Sequence, residues 1–560
     1  MNRFLVLRDA YGSVQAILPD SKRHQFEEMI KSLNYESVLR IRGVVRNRGK
    51  ARNPKIKTGD IELEIDDLEV INEAPPVLPL LSDQNALEQT KLKYRYLEFR
   101  SEDMQQKFRL RAQVTSRLRH FFEKLGFVEI ETPTLSQWTP GGAAEFLVPA
   151  AKPNLGRFYT LPQSPQLYKQ LLMCGGIDRY FQIARCYRDE ATKSDRQPEF
   201  TQVDFELSFT SKEKVMHLVE ELIKTAWPES LNEYEIFSSP FQRMKYEQAM
   251  NDYGTDKPDL RIPWKFENCP EKMASVLKTG VEEKENFSAR MFIAKGTGRH
   301  CTEEQMSVWK KLIEINPHAQ PFDIFIPPNQ TGFNNWDSDF DTNELVTKYD
   351  IGPDDAVVFC WGETDGVQRT LGFLRNYLAD TIDLRKKSGF KFVWIVDFPF
   401  FEKKQGNFEC LHHPFTAPIK EDEIRLWKME GLENIIAQHY DLVLNGIELG
   451  GGTIRIHDPK LQRHVFEKVL KLPTKHLEPF FEALSYGAPP HGGFALGLDR
   501  FIALLSQQGN VHTSIRDVIA FPKTKDGKCF LMNTPNEAPP GTLERYGLQI
   551  VKGDEKQNLV

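Results

Sequence analysis

The sequence predicts an α+β protein of several domains, and three observations carry that reading. Residues 1–72 hold short β-branched runs separated by Gly, Asn and Pro turns. Two stretches, 93–265 and 389–538, alternate strong strands with helices. Between them, 266–388 changes character to mixed α and β, with an acidic, Asn-rich loop near 329–343, and reads as an inserted domain. The 560 residues fit three or four domains at roughly 100–200 residues each.

In chain order, strands are expected over Phe4–Leu7, Val14–Leu18, Val38–Val45 and Ile61–Ile71, with a helix at 21–33. A basic loop carries Arg46, Arg48, Lys50, Arg52, Lys55 and Lys57. This first domain, 1–74, suggests a small barrel that binds a single strand, or another small β domain. Pro75, Pro76 and Pro79 mark 75–92 as a linker. Apolar spacing is helical from Lys93 to Lys124, and Gly126 supplies the stop. Strands, Pro turns and a helix at Gln166–Met173 follow, then a helix at 212–227. Strands resume at FVWIVDFPFF, and a Gly-rich strand leads into a helix at 493–507. Residues 539–560 read as a loose tail.

Composition excludes several classes. Lys plus Arg number 73 and Asp plus Glu 79, so the net charge of −6 gives no global pull toward nucleic acid. Any such contact must come from local patches. Mean hydropathy is −0.48 and no run of 18 apolar residues occurs, which excludes a membrane-spanning helix. The cysteines, Cys174, Cys186, Cys269, Cys301, Cys360, Cys410 and Cys529, are odd in number, scattered and without C-x-x-C spacing. They fit neither a disulfide framework nor a cysteine zinc cluster, and they fit a reducing compartment. The first residues read as neither a signal peptide nor a transit peptide.

Five segments carry chemistry. In RCYRDEATKSDRQPEFTQVDFEL, 185–207, two strand halves flank a polar loop. Arg188 ends the first half, Phe200 opens the second, and residues 200, 202, 204 and 206 share one face. An arginine fork suits a phosphate and an aromatic face suits a purine; the alternative is an exposed, salt-bridged hairpin. In GAPPHGGFALGLDRFIALL, 487–505, Gly492, Gly493 and Gly497 allow close backbone approach and Arg500 projects early from a helix. The spacing is neither that of a P-loop nor that of a dinucleotide fingerprint.

In DLVLNGIELGGGTIRI, 441–456, a turn at Gly446 brings Asp441 and Glu448 together, and such a pair beside a triphosphate suggests Mg²⁺. Alternatively, one of the two acids is a surface residue. In HHPFTAP, 412–418, the adjacent histidines point apart and alone read as structural or surface residues. In YTLPQSPQLYKQLLM, 159–173, Gln166 and Lys169 share a helix face.

Together FEKLGFVEIETPTL (122–135), RCYRDE with RQPEFTQVDFE, and GGFALGLDRFIALL resemble, in order, the three signature motifs of the class II aminoacyl-tRNA synthetases. QSPQLYKQLLM, HHPFTAP, NGIELGGGTIRI and YGTDKPDLR resemble the aspartate-charging subfamily of bacterial and mitochondrial type, over nearly the whole chain. The resemblance implies an OB barrel that binds the anticodon at 1–74. It implies a catalytic domain on an antiparallel sheet at 93–265 and 389–538, and an insertion domain at 266–388. It implies a ligase that joins L-aspartate to tRNA(Asp) through an aspartyl-adenylate, with ATP as substrate, Mg²⁺ and a homodimer.

It also implies roles. Arg188 meets the α-phosphate and Arg500 the γ-phosphate, while Phe200 and Arg500 sandwich adenine. Asp189, Glu190, Gln197, Gly497, Leu498 and Asp499 complete the ATP site, and Asp441 and Glu448 hold Mg²⁺. Lys169 and Arg455 grip the aspartate side chain. Gln166 and Asp204 bind its amino end, with Arg188 alongside, and His412 closes over it. Phe4, Gln15, Arg48 and Glu62 match anticodon contacts. Two departures stand out. Gly141 replaces a glutamate of the bacterial pattern, which resembles mitochondrial members, and the family's first barrel strand and lead-in are expected before Phe4 but absent. These features point to the mitochondrial matrix, with a bacterial cytoplasm as the alternative. The rival functions are a relaxed Asp/Asn-charging enzyme and a non-catalytic tRNA-binding relative.

Overall fold

The computed structural model describes residues 4–81, 85–139, 142–191, 193–234, 236–237, 240–278, 286–314, 319–327, 342–387 and 389–551. Gly141 and most of the Asn-rich loop expected near 329–343 lie outside these. The chain divides into two compact units, Met1–Ala112 with Arg516–Glu537, and Gln113–Ile515 with Ala538–Val560.

The first unit opens with strands Phe4–Arg8, Ser13–Ile17, Val38–Asn47 and Ile61–Asn72, and helix Arg23–Ser32. The sheet order is first, second, fourth, third, with the second and fourth strands parallel and the other pairs antiparallel. Ala16, Ile65 and Leu68 are buried together with Phe26 of the helix, and a bulge at Asp66 brings Ile65 and Leu68, three residues apart, to the same face. The segment read as a linker already turns helical at Glu88–Lys93.

The helix expected over Lys93–Lys124 is broken. Arg95–Glu98 is one turn, and a long helix restarts at Glu102–Lys124. Ser101 explains the restart, because its hydroxyl accepts the Met104 N–H at 3.3 Å and Glu102 and Asp103 follow in the first turn. Arg95 is buried; its Nη2 donates to the carbonyls of Arg516 at 2.7 Å and Ile519 at 2.9 Å, which ties in the segment 516–537.

The second unit is built on an eight-stranded sheet. Its order is Gln242–Lys245, Phe392–Val396, His439–Leu444, Ile447–Ile454, His491–Gly497, Glu199–Ser208, Arg179–Tyr187, Val128–Glu129. The six central strands are antiparallel, and a short parallel strand closes each edge. Behind the sheet, Phe122 stacks on Phe181 at 4.7 Å and lies against Phe205, so this one ring anchors the C-terminal end of the helix to the strands.

Between the strands Gln242–Lys245 and Phe392–Val396 the chain leaves for a second sheet. Its order is Glu267–Asn268, Phe287–Ala294, Ala356–Glu363, Phe322–Phe325, all antiparallel. The helix Thr364–Thr381 covers one face with Leu371, Leu374 and Leu378 over Phe292 and Val358. Among its described residues, the segment read as a loose tail contains a helical turn, Thr542–Arg545. Among the described residues no helix is long and apolar enough to cross a membrane.

Candidate active site

A cavity of about 390 Å³ opens on the large sheet of the second unit. Four neighbouring strands floor it, His439–Leu444, Ile447–Ile454, His491–Gly497 and Glu199–Ser208. Along Glu199–Ser208, side chains alternate, so Phe200, Gln202 and Asp204 all face the cavity. Gly451 and Gly493 have no side chain because none fits. A Cβ on Gly451 would lie 2.3 Å from Asp441 Oδ1, and one on Gly493 would lie 2.1 Å from the Phe205 carbonyl oxygen and 2.2 Å from Glu206 Oε2.

One end is a buried lattice of charge. Lys169, on the helix Gln166–Cys174, places Nζ 2.8 Å from Asp204 Oδ1 and 3.2 Å from Glu206 Oε2. Arg455 donates through Nε to Glu206 Oε1 at 2.9 Å and through Nη2 to Oε2 at 3.1 Å, and its Nη1 lies 2.6 Å from His413 Nε2. All four charged side chains are at most 2 % exposed. Burial pushes the Asp204 carboxyl up, despite Lys169 beside it. Burial also works on Glu206, but Arg455 and Lys169 outweigh it and hold that carboxyl at about 2. Asp204 Oδ2 is buried without a hydrogen-bond partner among the described residues. Gln166 reaches the same end and donates to Gln170 Oε1 at 2.9 Å.

The other end has a different chemistry. The Arg188 guanidinium lies over the Phe200 ring, 4.9 Å from its centroid, and Arg188 Nε is buried with no partner among the described residues. Arg500 donates to the Glu448 carbonyl at 3.0 Å and to Asp195 Oδ2 at 3.1 Å. Glu190 pairs with Arg196 at 3.2 Å, and Gln197 is buried on the same wall. Asp499 accepts the Thr201 N–H at 2.7 Å, which pins the helix Leu498–Ser506 to the strand carrying Phe200. Gly497 lines the cavity.

Two expected members do not line the cavity. Leu498 packs in the core at 1 % exposure, the inward side of its helix. Asp189 begins the turn after its strand, where its N–H donates to the Ala144 carbonyl at 2.8 Å.

The acidic pair sits on a hairpin. Asn445 and Gly446 take φ of 51° and 81°, a turn of the kind that joins adjacent strands in two residues. Glu448 then pairs with Val443, on the face that also carries Asp441, and a bulge follows between Leu442 and Val443. Both acids face the cavity. His439 Nε2 lies 2.7 Å from Asp441 Oδ1, and the His412 ring stacks on His439 with centroids 3.4 Å apart. Burial lowers both imidazoles to about 3, so both are neutral. The adjacent histidines diverge: His413 turns to Arg455, while His412 leaves its Nε2 without a partner among the described residues. Burial and then Glu448 raise the Asp441 carboxyl. Burial acts on Glu448 too, but Lys257, 2.9 Å away, and Arg500 hold it well below the carboxylate range.

Sequence reasoning missed Glu206, His413, His439 and Lys257 as site members. Glu206 shares the face of residues 200, 202 and 204, which was its signal. His439 stands two residues before Asp441 on one strand, the same alternation. Lys257 lies within YGTDKPDLR, but nothing in that segment points to Glu448 as its partner.

In the first unit, Gln15 donates to Glu62 Oε2 at 3.0 Å and Arg48 Nε lies 3.7 Å from the same oxygen, so three of the four expected anticodon residues gather. Phe4 is 54 % exposed on the neighbouring strand. The basic loop is less bare than its composition suggests, since Arg46, Arg52 and Lys57 pair with Glu64, Asp60 and Glu102.

Comparison with known proteins completes the picture. Residues 2–71 match the OB-fold nucleic acid binding domain. The chain is 40% identical over 572 residues to the mitochondrial aspartate–tRNA ligase of Mus musculus, covering 98% of this chain and 85% of that one. It is 39% identical over 567 residues to the aspartate–tRNA(Asp/Asn) ligase of Campylobacter hominis, covering 99% and 94%. In fold it resembles the asparaginyl-tRNA synthetase of Entamoeba histolytica, with a TM-score of 0.57 at 18% identity, covering 93% of this chain and 91% of that one. Residues 87–525 match the model for class II tRNA synthetases (D, K and N), and the chain belongs to that family.

Proposed function

We propose that the protein is an aspartate–tRNA ligase. It activates L-aspartate with ATP to aspartyl-adenylate and pyrophosphate, then transfers the aspartyl group to the 3′ end of tRNA(Asp). The observation that carries the specificity is the buried set of Lys169, Arg455, Glu206 and Asp204. The aspartate ammonium takes Asp204, whose Oδ2 has no other partner among the described residues. That leaves two cations against the single carboxylate of Glu206. A ligand side-chain carboxylate balances them; the nearly isosteric amide of asparagine leaves one buried positive charge uncompensated. The relatives' names point the same way.

In the first step an aspartate α-carboxylate oxygen attacks the α-phosphorus, and the bond to the pyrophosphate oxygen breaks. Arg188 holds the α-phosphate, Arg500 the γ-phosphate, and adenine stacks on Phe200. In the second, the terminal ribose hydroxyl attacks the aspartyl carbonyl and AMP departs. No protein nucleophile is needed; positioning and charge neutralisation do the work. Gln166 orients the amino end and His412 closes over the substrate.

Asp441 and Glu448 suit a hard divalent cation, because two carboxylates share one face and the buried Asp441 is unfavourable as a bare anion. Mg²⁺ bound there would neutralise phosphate charge. Phe4, Gln15, Arg48 and Glu62 serve the anticodon. A homodimer through the segment 122–135 and residence in the mitochondrial matrix complete the reading. The test is charging of purified tRNA(Asp) and tRNA(Asn) with labelled aspartate. Charging of tRNA(Asp) supports the reading, charging of both identifies the relaxed Asp/Asn enzyme, and charging of neither contradicts it.

A further inference from the structure

Two carboxylates, those of Glu448 and Asp256, flank the ammonium of Lys257, and Glu448 shares its face of the hairpin with Asp441. Lys257 Nζ lies 2.9 Å from Glu448 Oε2 and 3.7 Å from Asp256 Oδ2. Lys257 does not line the cavity. It approaches Glu448 from the flank, on a segment that is fixed rather than free. The Lys257 N–H donates to Thr255 Oγ1 at 3.1 Å. Two residues on, Asp259 is buried in an ion pair with Arg261 at 2.7 Å. Asp259 also packs under the hairpin turn, where a Cβ on Gly446 would lie 3.1 Å from its own Cβ. The lysine and the strand carrying Glu448 are therefore held against each other.

We propose that Lys257 is a positioning residue that sets the divalent-cation affinity of the Asp441–Glu448 pair. It keeps that affinity low until nucleotide phosphates arrive. This rests on the acid pair being the cation site of the proposed reaction. A divalent cation approaching the pair meets the Lys257 charge and must share or take a Glu448 oxygen that Lys257 already holds. Like charges a few ångströms apart repel strongly in a half-buried site. Phosphates add negative charge that offsets the repulsion, so cation and nucleotide enter together. Meanwhile the ammonium holds Glu448 in place at 2.9 Å, which lowers the reorganisation needed on binding.

The test is Mn²⁺ binding to the nucleotide-free, full-length protein, read by electron paramagnetic resonance of free Mn²⁺. Lys257→Met removes the charge and keeps the length; it is expected to bind Mn²⁺ at least fivefold more tightly than wild type. Lys257→Arg is expected to stay within twofold. Asp256→Asn removes a neighbouring negative charge and is expected to bind more weakly. Opposite shifts from two adjacent residues cannot come from a merely disturbed loop. Unchanged or weaker Mn²⁺ binding in Lys257→Met, or equal tightening in Asp256→Asn, would overturn the proposal. Aspartate-dependent pyrophosphate exchange by the wild type, measured in parallel, separates failure of this role from failure of the ligase reading.

Discussion

Glu206 and Arg455 form a two-point ion pair inside the sheet, with Nε to Oε1 at 2.9 Å and Nη2 to Oε2 at 3.1 Å. The arginine that is to read an aspartate side chain is thus already aimed by a carboxylate. Glu206→Gln should leave Arg455 underpaired and turned, and raise the KM for aspartate at least tenfold while that for ATP changes less than threefold. Breaking a buried pair costs about 3–5 kcal/mol, so thermal stability should fall as well. Equal losses for both substrates would assign Glu206 to the fold alone.

Lys169→Met should also separate the substrates. A buried carboxylate that loses one cation costs about 2–5 kcal/mol, and aspartate binding bears that loss. Steady-state exchange kinetics with each substrate varied in turn would show it. An unchanged aspartate KM would remove Lys169 from the amino-acid pocket.

How much of this was legible in the sequence depends on range. The face shared by residues 200, 202 and 204 follows from strand alternation, and the structure puts all three on the cavity. The turn that joins Asp441 to Glu448 follows from Asn445–Gly446. Periodicity names a face but not the partner across it. Glu206 was therefore visible as a fourth residue on that face, while its ion pairs with Lys169 and Arg455 depend on strands and a helix far apart in sequence. Lys257 reaches Glu448 across almost two hundred residues that include the inserted domain, and no local pattern encodes such a contact. The helix predicted from Lys93 broke at Ser101 because a hydroxyl cap outcompeted an unbroken apolar stripe.

Arg188→Ala should lower kcat/KM for exchange by an amount equivalent to about 2–4 kcal/mol, the usual cost of losing one contact to developing charge. The fold should persist, because Arg188 Nε bonds to none of the described residues and its ring neighbour is Phe200. Exchange within tenfold of wild type would reject the phosphate role.

Gly493→Ala probes the backbone contact that fixes the charge lattice. The new methyl would meet the Phe205 carbonyl and Glu206 Oε2, and strands cannot part locally. Overpacking of this kind costs about 1–3 kcal/mol. A matching drop in urea stability, together with a raised aspartate KM, is the expected result. An unaltered urea midpoint would show that the strands yield.

The central claim is that this pocket activates aspartate because its buried cations require a carboxylate. The most direct measurement is pyrophosphate exchange by the wild-type protein with aspartate and with asparagine, at saturating ATP and Mg²⁺. The expected result is robust exchange with aspartate and a kcat/KM for asparagine at least a hundredfold lower. Comparable exchange with the two amino acids, or none with aspartate, would contradict the account.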